Sequence, residues 1–304
     1  MKALLILVAC LCATSARADR DAYLEFARLG WVYELRSAMF RRSATPIVIN
    51  GRELAGSGIC LVGEPPHPQT AAALSQFAAL MEEVWGVPVP VRHGGADLRD
   101  CLDDALGQTV YLRLYSGHAP HTGYGADMRA LDTVYGIGFR PDQTHWLVSP
   151  GQAQTFFGLV GRVTHIALKQ AAAARPSDTE TRFYTSILTE ELYQAFTFGM
   201  DILHFDPDTP FVSKLEEVPR DLRRLGWESE TYMQQMLTTN PGGLCPFDVF
   251  MLHAVGSAPV ERTNSDAFLA YIDGAFETLT RRTDATLARF SGSPILDPDC
   301  EAER

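Results

Sequence analysis

Residues 182–199 read RFYTSILTEELYQAFTFG, and the fold turns on what this stretch does. At about 100° per residue, Phe183, Tyr184, Ile187, Leu188, Leu192, Ala195, Phe198 and Gly199 share one continuous apolar helical face. Glu191 falls inside that face, Gln194 lies beside it and Glu190 sits at its edge. Thr185, Ser186, Thr189, Tyr193 and Thr197 lie on the opposite side. The pattern predicts a helix that turns its apolar face to the core and takes a carboxylate with it. Such a group is costly to bury unless it is protonated, ion-paired, hydrogen-bonded or metal-bound. Two readings follow. Glu191 is a general acid or base in a cleft, with Glu190 and Gln194 as neighbours, or it is a core acid held by an arginine or by backbone amides.

Outward from this helix, further helices are expected at 228–238, 246–255 and 265–289, so the C-terminal half is mainly helical. Upstream, residues 46–116 alternate strand and helix. IVING at 47–51 reads as a strand with a turn, and 69–85 as a helix. The run at 87–91, broken by Pro88 and Pro90, reads as an edge strand, 97–106 as a helix and VYLRLY at 110–115 as a strand. SGHAPHTGYG at 116–125 has loop composition, and strands are expected at 133–139 and 145–149; 162–168 fits neither period. Residues 21–42 have helical composition. The expected organisation is an N-terminal helix within 19–45, then a single α+β domain over 46–304 with a sub-boundary near 150–180. Its helices pack on a mixed or antiparallel sheet.

LTEELYQAF at 188–196 resembles a family of exported bacterial proteins of unknown function, whose signature helix reads roughly H-E-E-x-x-Q-x-L-G. That helix is followed by an S-x-x-N-D-like element and a last helix that begins near an aspartate. SKLEE at 213–217 matches the middle element and CPFDVFML at 245–252 the last. The family is similar to zinc peptidases with an H-E-x-x-H helix, in which two histidines bind zinc and the glutamate activates water. The resemblance implies a zincin-like fold with Glu190 and Gln194 at the two histidine positions and Glu191 as general base. Glu216 or Glu217 would be a third ligand, and His204 lies nearer in the chain. Thr189 stands where the family often has histidine, and Thr197 where its glycine falls. An amide and scattered carboxylates are poor zinc donors. The expectation is therefore a degenerate zincin, peptidase-like, with no tightly bound zinc and no other cofactor.

Other groupings carry less. His118 and His121 sit in the 116–125 loop with a proline between them, and Asp201, His204, Asp206 and Asp208 form an acidic loop without the spacing of a calcium site. No G-x-S-x-G elbow, dinucleotide fingerprint or phosphate loop is present.

The first 18 residues, MKALLILVACLCATSARA, have the order of a cleavable signal peptide: Lys2, a short apolar run and a small-x-small end. A periplasmic or secreted mature chain from Asp19 is expected, the alternative being a lipid anchor on Cys10 within LVAC. Cleavage removes Lys2 and Arg17 and takes the net charge from −11 to −13. Neither nucleic acid nor an anionic membrane suits such a surface. Four cysteines remain, Cys60, Cys101, Cys245 and Cys300, and an even count in an exported chain points to two disulfides with three possible pairings. No later stretch is apolar over the ~20 residues that a span requires. A peptide or cell-envelope fragment is the expected ligand, taken either as a substrate or by a non-enzymatic binding or envelope-assembly protein.

Overall fold

GICLVG and RVTHIALK lack the alternation of a half-buried strand because both of their faces are covered. They form β1 (Gly58–Gly63) and β5 (Arg162–Lys169) of a five-stranded sheet, with β2 (Val91–Gly95), β3 (Gln108–Tyr115) and β4 (Gly151–Phe157), in the order β2-β1-β3-β5-β4. The first four neighbours run parallel, and β4 is antiparallel to β5 at the edge. The sheet is thus mixed and mostly parallel. This computed structural model describes residues 20–34, 47–102, 108–206, 208–222, 224–297 and 299–300, and the expected signal segment lies outside them.

Helices cover both faces. On one side α1 (residues 20–31), α2 (Pro68–Trp85), α5 (Asp178–Thr197), α7 (Pro246–Ser257) and α8 (Asp266–Arg289) build the larger core with Ile59, Leu61, Leu112, Leu114, Ile166 and Leu168. On the other, α3 (Arg99–Leu102) and α4 (His121–Tyr135) pack over Val62, Tyr111, Val163 and Ala167. Beneath α4, Asp127 accepts from Arg113 Nη2 (2.6 Å) and bonds His165 Nε2 (2.9 Å), which pairs the charges of this second core. A small cluster joins α5 to α6 (Glu230–Met236) through Phe183, Tyr184, Tyr232 and Met233.

Several expected elements are displaced. Residues 47–50 are irregular and lead into a 3-10 turn at Gly51–Leu54, capped by Asn50, while the strand is β1, whose short glycine-bounded run gives no periodic signal. The edge strand begins at Val91, after Pro88 and Pro90, which cannot donate to a ladder. Residues 121–135 are helical, although 116–125 reads as loop and 133–139 as strand; Gly123 lets α4 lie close to the Arg113 guanidinium, so this glycine serves packing. Residues 145–149 are coil, and β4 follows them. The N-terminal helix stops at residue 31, residues 32–34 are not helical, and the rest of its expected range lies outside the described residues.

The disulfides are Cys60–Cys101, between β1 and α3, and Cys245–Cys300, between the N-cap of α7 and the C-terminal tail. No described helix is long and apolar enough to cross a membrane. The central helix α5 starts at Ser177, whose Oγ accepts from the Glu180 amide at 3.0 Å. Ser177→Ala is expected to destabilise the protein by about 1 kcal/mol, a fall of roughly 2–4 °C in melting temperature for a chain of this size. Thermal denaturation followed by circular dichroism measures it, and an unchanged midpoint would remove the cap from the account.

Candidate functional site

Phe183, Tyr184, Leu188, Leu192 and Ala195 of the predicted apolar face of α5 are buried, and so is most of the side that sequence reasoning turned outward. Ser186, Thr189, Tyr193 and Thr197 are all buried, and each hydroxyl has a partner. Thr189 Oγ1 donates to Thr185 O (2.8 Å) and Thr197 Oγ1 to Tyr193 O (2.7 Å). Ser186 Oγ donates to Pro241 O (3.1 Å) and Tyr193 OH to Asp248 O (3.3 Å). Hydroxyls that close on carbonyls can enter a core at little cost. The stripe left partly open is Ile187, Glu190, Glu191 and Gln194. The three predicted site residues are therefore together, but at a cleft wall rather than on the most buried face.

Other elements complete the site. The helix ends at Phe198 in a left-handed conformation (φ 58°), with the Arg162 guanidinium 4.8 Å above its ring. Gly199 follows where a Cβ would strike Leu215 and Trp31. This reversal brings Asp201 back to the helix, where it accepts a hydrogen bond from Gln194 Nε2. The strand pair β6 (Ile202–Leu203) and β7 (Glu216–Glu217) supplies Glu217. Carboxylate oxygens of Glu190, Asp201 and Glu217 all lie within 4.8 Å of one another. Lys214, wholly buried, enters from beneath and directs Nζ to Glu190 Oε2 (3.0 Å), Ser186 Oγ (3.0 Å) and Pro241 O (2.7 Å). Its backbone is fixed by Asp248, whose carboxylate accepts from Ser213 Oγ and from the amides of Lys214 and Cys245.

The edge strand forms the other wall. The amide of Lys169 donates to Pro150 O and that of Gly158 to Gly161 O. The alternation of the antiparallel ladder thus turns the backbone groups of Gly151, Ala153, Thr155 and Phe157 away from β5. The Ala153 amide bonds the Glu191 carboxyl. A cavity of about 310 Å³ lies between β4 and the end of α5, with Gln194 and Asp201 in its wall. A second, of about 570 Å³, lies on the far side of the cluster with Glu217 in its wall. Gly151 sets the distance between strand and helix, since a Cβ there would collide with Ile187 and lie 3.1 Å from Glu191 Oε1. Gly151→Ala is expected to destabilise the protein by about 1–3 kcal/mol through overpacking and to displace Glu191. Chemical denaturation checks the first effect, and a wild-type midpoint would contradict this packing.

Charge crowding shapes the site. Burial, then the nearby Glu190 and Asp201 carboxylates, push the Glu191 carboxyl up to about 8, against the Ala153 hydrogen bond, which acts the other way. Burial and the same two neighbours push Glu217 up to about 7. Burial raises Glu190 as well, opposed by the Lys214 ammonium. The cluster therefore holds protons near neutrality and can both give and take them.

The remaining sequence candidates fall elsewhere. His204 is occupied by Glu216 (Nδ1 to Oε1, 2.7 Å), whose other oxygen accepts the Val212 and Ser213 amides, so neither reaches the cluster. Asp206 accepts the Asp208 amide in a turn, and only Asp201 of that acidic loop joins the site. His121 opens α4, where its Nδ1 accepts from the Leu147 amide (3.3 Å). Lys214 had no role assigned from sequence; its signal is a single lysine in SKLEE between apolar residues and two acids. The residues do not fit a zinc site. The donors are carboxylates and one amide already bonded to Asp201, with no imidazole or thiolate among them, and a buried ammonium lies against Glu190. Comparison with protein-family models, curated proteins and solved structures finds no match to this chain.

Proposed function

We propose that the chain is an exported, peptidase-like hydrolase, a degenerate zincin that works through carboxyl groups of α5 without zinc. The observation that carries this reading is the Glu191 carboxyl. Burial pushes it up to about 8, one backbone amide and, among the described residues, no arginine holds it, and it stands beside a second carboxylate paired with Lys214. The structural alternative would satisfy the carboxylate as Asp248 is satisfied, by a hydroxyl and two amides, whereas Glu191 has one amide. The placing of Glu190 and Gln194 four residues apart on a helix beside an antiparallel edge strand, with Glu217 arriving from downstream, supports the zincin-like part.

Roles follow from the protonation states. Lys214 favours the ionised form of Glu190, which takes a proton from the attacking water. Glu191 keeps its proton near pH 7 and gives it to the leaving amine. Gln194 holds Asp201 at the rim, and the outward backbone of β4 offers an extended peptide ladder partners.

A second reading is a binding protein that grips a peptide without cleaving it. The exposed apolar side chains of Met200, Leu203 and Phe205, beside the two cavities, favour it. Internally quenched peptides incubated with the full chain separate the two. The hydrolase reading expects turnover that declines above about pH 8, as Glu191 loses its proton, and a loss of 10²–10⁴-fold in Glu191→Gln. Binding without turnover at any pH would leave the second reading standing.

A further inference from the structure

The larger cavity beside the cluster has a composition that the acid–base roles do not use. Leu203, Val218, Pro219 and Met236 make its walls apolar, and Glu217 stands where it meets the cluster. The Glu217 carboxylate is partly buried and accepts no hydrogen bond among the described residues. The nearest cation cannot serve it, because the three donors of Lys214 Nζ are directed to Glu190, Ser186 and Pro241. At the mouth, Arg220 and Asp221 are exposed and opposite in sign, with Arg220 bonded to Gln235 Oε1 at 2.8 Å.

We propose that this cavity is a specificity subsite for a long cationic side chain, lysine or arginine, of a peptide lying across the site. The inference rests on the peptide-binding part of the function proposed above. An open, largely apolar hollow with an unsatisfied carboxylate in its wall complements the methylene stem and charged head of such a residue. Burial and then the neighbouring carboxylates raise the Glu217 carboxyl to about 7, and an arriving cation would offset both, so the ligand supplies what the site lacks. A volume of about 570 Å³ admits either side chain. A neutral side chain of equal length would fill the walls but leave Glu217 without a partner, and an acidic one would add a fourth carboxylate.

The test is a set of fluorescently labelled, C-terminally amidated polyalanine heptapeptides differing only at the central residue: lysine, arginine, norleucine or glutamate. Fluorescence anisotropy at pH 7.5 with the full chain reads affinity without relying on cleavage. The lysine and arginine peptides are expected to bind at least tenfold more tightly than the norleucine peptide, and the glutamate peptide least of all. Glu217→Gln should reduce that preference to less than threefold. Met236→Lys, which puts a tethered cation into the cavity, should remove the preference even if Glu217→Gln does not fold. Equal binding of the norleucine peptide, a preference that survives both cavity variants, or no binding of any peptide would overturn the assignment. A preserved preference without hydrolysis would refute the proposed chemistry alone, and hydrolysis indifferent to the central residue would refute the subsite alone.

Discussion

Glu191→Gln is expected to raise the melting temperature at pH 8.5 while removing turnover. In the unfolded chain this carboxyl releases its proton near 4.5, and in the folded protein it holds it to about 8. Between those values the native state binds the extra proton, so Glu191 takes stability away progressively as pH rises from 4.5 to 8, and the full penalty applies above that window. Each pH unit between the two titrations corresponds to about 1.4 kcal/mol. With a discount for the solvent that reaches this partly exposed residue, the penalty is on the order of 2–4 kcal/mol. Glutamine has the same shape and no charge to desolvate, so the gain should fade toward pH 5, as the unfolded chain also takes up the proton. Thermal midpoints of the two proteins from pH 5 to 9 make the comparison. Superimposable curves would mean that the carboxyl is solvated and has no special basicity.

Lys214→Met acts in the opposite direction and depends on a different link. Lys214 is wholly buried, and each ammonium donor has an acceptor. Methionine fills a similar volume but leaves the desolvated Glu190 carboxylate without its cation, and the Ser186 hydroxyl and the Pro241 carbonyl with only each other. Breaking a buried pair from one side destabilises by about 3–5 kcal/mol. The double variant Lys214→Met with Glu190→Gln removes both charges and should recover about half of the loss. Urea denaturation of the four members of the cycle gives the coupling. If the double variant were no more stable than Lys214→Met, the ion pair would not be what the lysine contributes.

The helix α5 was legible because a 3.6-residue period over 18 residues is a strong signal, and it brought Glu190, Glu191 and Gln194 with it. Its apolar face turned to the core was legible too, but the burial of its hydroxyl-bearing side was not. Periodicity separates two faces of a helix, but the choice between core and cleft depends on whether threonine, serine and tyrosine hydroxyls find carbonyls, and Pro241 and Asp248 are far away in sequence. The sheet was half legible. VYLRLY is rich in aromatic and aliphatic residues, whereas GICLVG is short and buried on both faces. In α4, Gly123, which by composition signals a loop, serves close packing instead, and composition does not distinguish these uses. Glu217 was within reach of the resemblance to zinc peptidases. Asp201 was grouped with the acids nearest to it in the chain, although the left-handed turn at Phe198 returns it to Gln194.

The fastening of Lys214 has a consequence for the order of assembly. Its amide is held by Asp248, Asp248 also holds the amide of Cys245, and Cys245 is linked to Cys300. The acid that Lys214 pairs with lies on α5, and the wall opposite Glu191 is a strand that precedes α5 in the chain. Apart from the Gln194–Asp201 hydrogen bond, the contacts that make the site are therefore non-local, and the last link in the series closes at Cys300. Contacts of this kind form late, after the loops between them have been drawn in. A chain emerging from its N-terminus can complete the β1-to-β3 half of the sheet while its carboxyl groups are still dispersed and ordinarily acidic. Their unusual basicity belongs only to the finished molecule.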